Sequence, residues 1–155
     1  MRGTERPFEL VVSAVEASGD ALAASLVDSL RAERPIRVRG IAGPMMRDVG
    51  VEPIASVEDV ASNGLWEVLG NLGAIRQASW ALMDSIKRDG ADLVVFVDGP
   101  DFHLPLAKRC RKLGIPTVGY VGPQVWAWRA GRAKSIAESL DRLLCLFPFE
   151  PQIYA

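Results

Sequence analysis

The sequence is poor in the residues from which staples and metal cages are built. Its 155 residues hold two cysteines and one histidine, too few for a disulfide scaffold or a four-ligand zinc site. No uncharged apolar run of about 18 residues occurs, so no bilayer-spanning helix is expected. The opening stretch MRGTERPFEL carries Glu5 and Glu9 where an export signal needs an apolar centre, which predicts a cytoplasmic protein. Internal repeats and low-complexity tracts are also missing. Nor does one sign of charge dominate, since 18 basic and 19 acidic side chains leave a formal charge of -1. Residues 1–100 carry ten Lys/Arg against fifteen Asp/Glu, and residues 101–155 carry eight against four. A basic final third suits an anionic ligand but falls short of a nucleic-acid-binding surface, so no nucleic-acid partner is expected. What remains is 49% hydrophobic and 24% charged, too apolar for disorder and long enough for one domain or one piece of a larger enzyme.

Strand and helix signals alternate along the chain. Phe8 to Ala14 is a β-rich run that stops at Glu16–Asp20, after which Leu22, Leu26 and Leu30 recur at helical spacing. Arg37–Ile41 reads as a second strand and Met45–Val49 as a short helix, and residues 56–89 form a long helical insertion. Asp92–Val97 is continuously apolar after its first residue, as expected of a strand covered on both faces. A helix over Leu104–Leu113, a strand over Ile115–Val121, a helix over Arg132–Leu140 and a last strand over Arg142–Phe147 follow, with no further helix expected. This order predicts an α/β fold with a doubly wound, mostly parallel, Rossmann-like sheet.

Ligands of such sheets gather at the carboxyl ends of the strands, and three segments reach that edge. In Glu16–Asp20, Ser18 and Gly19 open a helix and offer N–H groups to an anion, or a side chain there merely caps. In Asp98-Gly99-Pro100-Asp101-Phe102, a buried strand delivers two carboxylates around a Gly-Pro turn. Asp98 is either a general base or a turn residue, Asp101 a helix cap, and His103 a surface side chain. In Gly122–Arg129, Trp126 and Trp128 either stack on sugars or pack in the core, while Arg129 and Arg132 suit a phosphate.

The segments AVEASGD, IAGPMM, NGLWEVL, DGPDF, GIPTVGYVGPQVWAWRAGRAKSIA and LLCLFPFEPQIY follow in this order, and the similarity they carry runs from about Leu10 to Tyr154. In them the chain resembles the N-terminal domain of lipid-A-disaccharide synthase, a glycosyltransferase of lipopolysaccharide assembly. The resemblance implies a GT-B enzyme in which residues 1–155 are the acceptor-side domain and a UDP-sugar-binding domain follows beyond Ala155. It implies metal-independent, inverting transfer from UDP-2,3-diacylglucosamine to 2,3-diacylglucosamine 1-phosphate, with no cofactor, on the cytoplasmic face of the inner membrane. Residue by residue, it makes Asp98 the catalytic base and Glu16, Ser18, Gly19, Asp20, Trp126, Trp128 and Arg129 substrate-binding residues.

The helical insertion gains a meaning from the same resemblance. Leu65, Trp66, Val68, Leu69, Leu72 and Ile75 form an apolar stripe, with Trp80 and Leu82 beyond, that meets the membrane or acyl chains. Arg76, Lys87 and Arg88 then face headgroups; the competing reading buries the stripe against the sheet. Cys110 and Cys145 are expected in the core. The chain departs from the family pattern at Val15, His103 and Gly122-Pro123-Gln124, where the family usually has Gly, Asn and Ser-Pro-Ser. Other readings are a different GT-B enzyme, such as a UDP-sugar epimerase, or a non-catalytic lipid- or sugar-binding domain.

Overall fold

The computed structural model describes residues 6–61, 65–122 and 132–154. In chain order the elements are β1 (Phe8–Ala14), α1 (Ala17–Glu33), β2 (Ile36–Ala42), α2 (Pro44–Asp48), β3 (Glu52–Ser56), α3 (Val57–Val60) and α4 (Leu65–Asp89). Next come β4 (Leu93–Val97), α5 (Pro100–Lys112), β5 (Thr117–Tyr120), α6 (Arg132–Ser139), β6 (Arg142–Leu144) and α7 (Glu150–Tyr154). The six strands form one sheet in the order β3-β2-β1-β4-β5-β6, and every pair is parallel.

The central strands β1 and β4 are largely apolar because helices cover both of their faces. Leu10, Val11, Val12, Val94, Val95 and Val97 are all buried, each contributing about 1.5–3 kcal/mol relative to exposure. Successive side chains of a strand point to opposite faces, and β1 uses both. Ala14 packs against Gly19 of α1, whereas Ser13 bonds His103 of α5, so α1 and α5 cover opposite faces. The thiol of Cys110 on α5 donates to Met83 Sδ on α4 at 4.0 Å, placing α4 on the α5 face. The sheet is therefore doubly wound.

Helix α1 lies close to the sheet because its inner row is small: Gly19, Ala23, Ala24 and Val27 are buried, and Leu22, Leu26 and Leu30 flank that row half-buried. Gly40 makes a still closer approach, since a Cβ there would lie 1.6 Å from the Val12 carbonyl oxygen. At the opposite edge of the sheet from the helix starts, buried Arg39 donates to Ser85 Oγ at 2.9 Å and to Glu9 at 3.2 Å, tying β2 to α4.

Four sequence expectations change. An unforeseen strand, β3, precedes the helical insertion and ends at Ser56, an edge strand whose Glu52 and Pro53 hide the apolar pattern and whose position tolerates the missing proline N–H. Helix α5 begins at Pro100 rather than near Leu104, and Pro105 sits inside it. A short helix, α7, does follow the last strand. Cys145 lies half-buried beyond β6 instead of in the core, while Cys110 is buried as expected and its thiol is pushed up to about 11 by desolvation.

Candidate functional site

Reversal of strand order at β1 and β4 leaves a crevice at their carboxyl ends, the place where such sheets bind ligands. Ala14 pairs with Val97 at the last rung, so the chain leaves both strands side by side, at Val15-Glu16 and at Asp98-Gly99. A groove of about 1570 Å³ opens there. Glu16 and Ser18 stand at its head with Asp98; Ile75, Trp80 and Met83 of α4 form one wall, and Phe102, Leu106 and Arg109 of α5 the other.

Asp98 is held in an unusual backbone shape. It has φ 52 and Gly99 has φ 51, two left-handed residues in a row, and an L residue in that region costs about 1 kcal/mol. Gly99 cannot be replaced without strain, because a Cβ would also meet Val15 Cγ2 at 2.3 Å. The Asp98 N–H donates to the Tyr120 carbonyl at 2.9 Å, and its own carbonyl accepts from His103 Nδ1 at 2.6 Å. Among the described residues no hydrogen bond or ion pair engages the Asp98 carboxylate. Val121, the residue that follows neighbouring β5, is left-handed too, with φ 73, a strained state for a β-branched residue. Both left-handed residues directly follow neighbouring strands, β4 and β5.

His103 is the residue that sequence reasoning misplaced. It is 2% exposed rather than on the surface, wedged between Phe96 and Phe102 with ring centroids 5.2 Å from each. Desolvation pushes its pKa down to about 4. Its other ring nitrogen, Nε2, meets Ser13 Oγ at 2.9 Å. The signal available in sequence was Ser13 itself, a hydroxyl inside an apolar strand that must find a partner when buried.

The first loop divides in two. Glu16 and Ser18 are exposed at the groove, whereas Gly19 and Asp20 are buried. Glu16 is the N-cap of α1, and no side chain caps that helix. Asp20 caps another one: its carboxylate accepts the backbone N–H groups of Gly43 at 2.9 Å, Met45 at 2.9 Å and Met46 at 3.1 Å, at the start of α2. Gly43 is required at that contact, because a Cβ would fall 2.4 Å from Asp20 Oδ2. Asp101 lies in the first turn of α5 and is not its cap, which is Gly99. On the groove's far rim Arg47 pairs with Glu58 at 2.7 Å and holds that carboxyl down at about 2.

Along α4, Leu72 and Trp80 are exposed, at 45% and 69%. Ile75 is half-buried in the groove wall. Leu82 is fully buried, which removes it from any membrane-facing stripe. Arg88 pairs with Asp84 and Asp89, while Arg76, Lys87, Arg109 and Lys112 line the groove without ion pairs among the described residues. The side chains of Leu65, Trp66, Val68 and Leu69, and Trp126, Trp128 and Arg129 altogether, lie outside the described residues. Among the described residues no cluster of three His, Cys, Asp or Glu side chains could hold a metal ion, and no helix is long and apolar enough to cross a membrane.

The chain is similar to known proteins over nearly its whole length. The chain is 45% identical over 151 residues to a lipid-A-disaccharide synthase of Anaeromyxobacter sp. (strain K), covering 94% of this chain and 38% of the relative. It is 41% identical over 149 residues to that of Myxococcus xanthus, covering 96% and 39%, and 40% identical over 146 residues to that of Sulfurihydrogenibium sp., covering 94% and 37%. The chain thus spans less than two fifths of the length of these relatives. Among solved structures it superposes on Acinetobacter baumannii MurG with a TM-score of 0.62 at 18% identity, covering 92% of this chain and 42% of that one. On the glycotransferase of kitacinnamycin the TM-score is 0.58 at 18% identity, covering 97% and 38%. These share its fold, the Rossmann-like half of a GT-B architecture. The family pattern described as lipid-A-disaccharide synthetase matches residues 10–155, through every strand that builds the groove, and the chain belongs to that family.

Proposed function

We propose that this chain is the N-terminal, acceptor-side domain of a metal-independent, inverting glycosyltransferase that makes the lipid A disaccharide, with Asp98 as its general base. In this reading the 6-hydroxyl oxygen of 2,3-diacylglucosamine 1-phosphate attacks C1 of the sugar in UDP-2,3-diacylglucosamine. The O6–C1 bond forms with inversion to a β-1,6 linkage, the bond from C1 to UDP breaks, and the hydroxyl proton passes to Asp98. A second domain, in the part of the relatives' length that this chain does not span, binds UDP.

The observation that carries the reading is the Asp98 carboxylate. It stands at the switch point of the sheet, at the head of a groove, with no partner among the described residues. Glu16 and Ser18, exposed beside it, contact the acceptor sugar, while Gly19 and Asp20 act from below by holding two loops in place. Trp126, Trp128 and Arg129 follow β5, whose carboxyl end adjoins Asp98, and are assigned to stacking on the sugar and binding phosphate. Leu65, Trp66, Val68, Leu69, Leu72 and Ile75 are assigned to acyl chains and to the cytoplasmic face of the inner membrane, supported by the exposure of Leu72 and Trp80.

The test is UDP release by a full-length synthase carrying this segment. Release that requires both diacylglucosamine substrates and yields disaccharide is expected. Release of free sugar without an acceptor overturns the reading in favour of an epimerase, and no turnover in a folded enzyme overturns it in favour of a binding domain.

A further inference from the structure

Asp98 needs a holder. Its left-handed φ of 52, followed by 51 at Gly99, is mildly strained for an aspartate, and both flanking peptides are held. One flanking peptide is fixed by the neighbouring strand, through the Asp98 N–H to the Tyr120 carbonyl at 2.9 Å. The other is fixed by a side chain, through the Asp98 carbonyl and His103 Nδ1 at 2.6 Å. A carbonyl oxygen only accepts, so Nδ1 carries the hydrogen. The Asp98 carbonyl thereby selects the tautomer, and Nε2 of the neutral ring accepts from the hydroxyl of fully buried Ser13 on β1 at 2.9 Å, which fixes the orientation of the ring. Phe96 and Phe102 against the imidazole leave it no room to turn.

We infer that His103 is the positioning residue of the site: oriented by Ser13, it locks the backbone of Asp98 so that the carboxylate faces the groove. The inference rests on the reading of Asp98 as base. It is also distinct from a packing role, because it makes the nitrogen that meets Asp98 matter more for turnover than the one that meets Ser13. The two nitrogens can be separated by substitution. The amide nitrogen of asparagine falls where Nδ1 lies, and that of glutamine falls where Nε2 lies.

In a full-length synthase carrying this segment, His103→Asn keeps the bond to Asp98 and should hold kcat within about threefold. His103→Gln keeps only the Ser13 side and should lower kcat about tenfold or more with acceptor KM nearly unchanged. Asparagine is a methylene shorter than glutamine and leaves the larger gap at this buried position, so His103→Asn should melt lower while keeping the higher kcat. A kcat that follows melting temperature, or that falls equally in both variants, overturns the inference. In the 155-residue chain His103 is the only histidine, so its imidazole nitrogen resonances are read without overlap. They should show the Nδ1–H tautomer, and an Nε2–H tautomer overturns the inference independently of activity. Normal turnover by Asp98→Asn sinks the base assignment instead, and is told apart because the His103 resonances stay as they were.

Discussion

Asp20 on α1 accepts the backbone N–H of Gly43 at 2.9 Å across 23 positions of sequence, so that one helix supplies the cap of the next. Met45 and Met46 complete the set, and Gly43 as N-cap of α2 has no side chain of its own to offer. Asp20→Ala should therefore destabilise the fold by about 3 kcal/mol, since it strands N–H groups that are buried. Asp20→Asn retains one accepting oxygen and should cost about half as much. Urea unfolding of the two variants checks the order; equal stability of Asp20→Ala and the parent chain would refute the capping role.

Two buried glycines should behave in opposite ways. A Cβ at Gly19 meets Ala14 and Val97 only at ordinary contact distances of 3.5 Å or more, whereas one at Gly40 would overlap the Val12 backbone at 1.6 Å. Gly19→Ala should change stability by less than about 1 kcal/mol, because helix propensity offsets any crowding. Gly40→Ala should leave little folded protein. Soluble yield and thermal melts separate the two outcomes.

Acid should weaken the fold through His103. Burial holds its imidazole neutral down to about 4, while an unfolded chain takes the proton near 6.5. Between those values the unfolded state binds more protons, so stability is full above about 6.5 and falls as the pH drops. The loss between about pH 7 and about pH 5 should be about 2 kcal/mol. His103→Gln should flatten that stretch of the curve. Urea midpoints across the range read it, and a flat parent curve would contradict the buried neutral ring.

The exposed side chains of α4 should matter to lipid and the buried ones to folding. Leu72→Ser with Trp80→Ser should reduce binding to vesicles of anionic lipid and leave the circular dichroism spectrum unchanged. Leu82→Ser, at a fully buried position, should melt the fold. Salt should weaken the vesicle binding to which Arg76 and Lys87 contribute. Undiminished binding by the double variant would remove this face from the membrane account.

Much of this architecture is legible in sequence where the information is local. β1 occupies Phe8–Ala14 as its composition indicates, and Leu93–Val97 reads as a covered strand because nothing but apolar residues can fill one. β3 is not legible, since an edge strand needs only one partner and admits Glu52 and Pro53. His103 is not legible either, because what buries it is Ser13, 90 positions away, and two phenylalanine rings. Asp20 looks like a residue of its own helix, and only the fold brings it to α2. Leu82 and Trp80 share a helix and differ by two positions, yet one is core and one is surface; the rotation of α4 against β2 and β3 decides which.

The central claim is that Asp98 takes the proton. Asparagine at this position keeps the shape of the side chain and tolerates the left-handed backbone, so Asp98→Asn removes basicity and little else. In a full-length synthase carrying this segment, turnover of Asp98→Asn should fall about 100-fold or more with acceptor KM close to that of the parent. Asp101→Asn, in the first turn of α5, should remain within a few-fold of the parent. A well-folded Asp98→Asn enzyme that turns over at the parent rate would contradict the account.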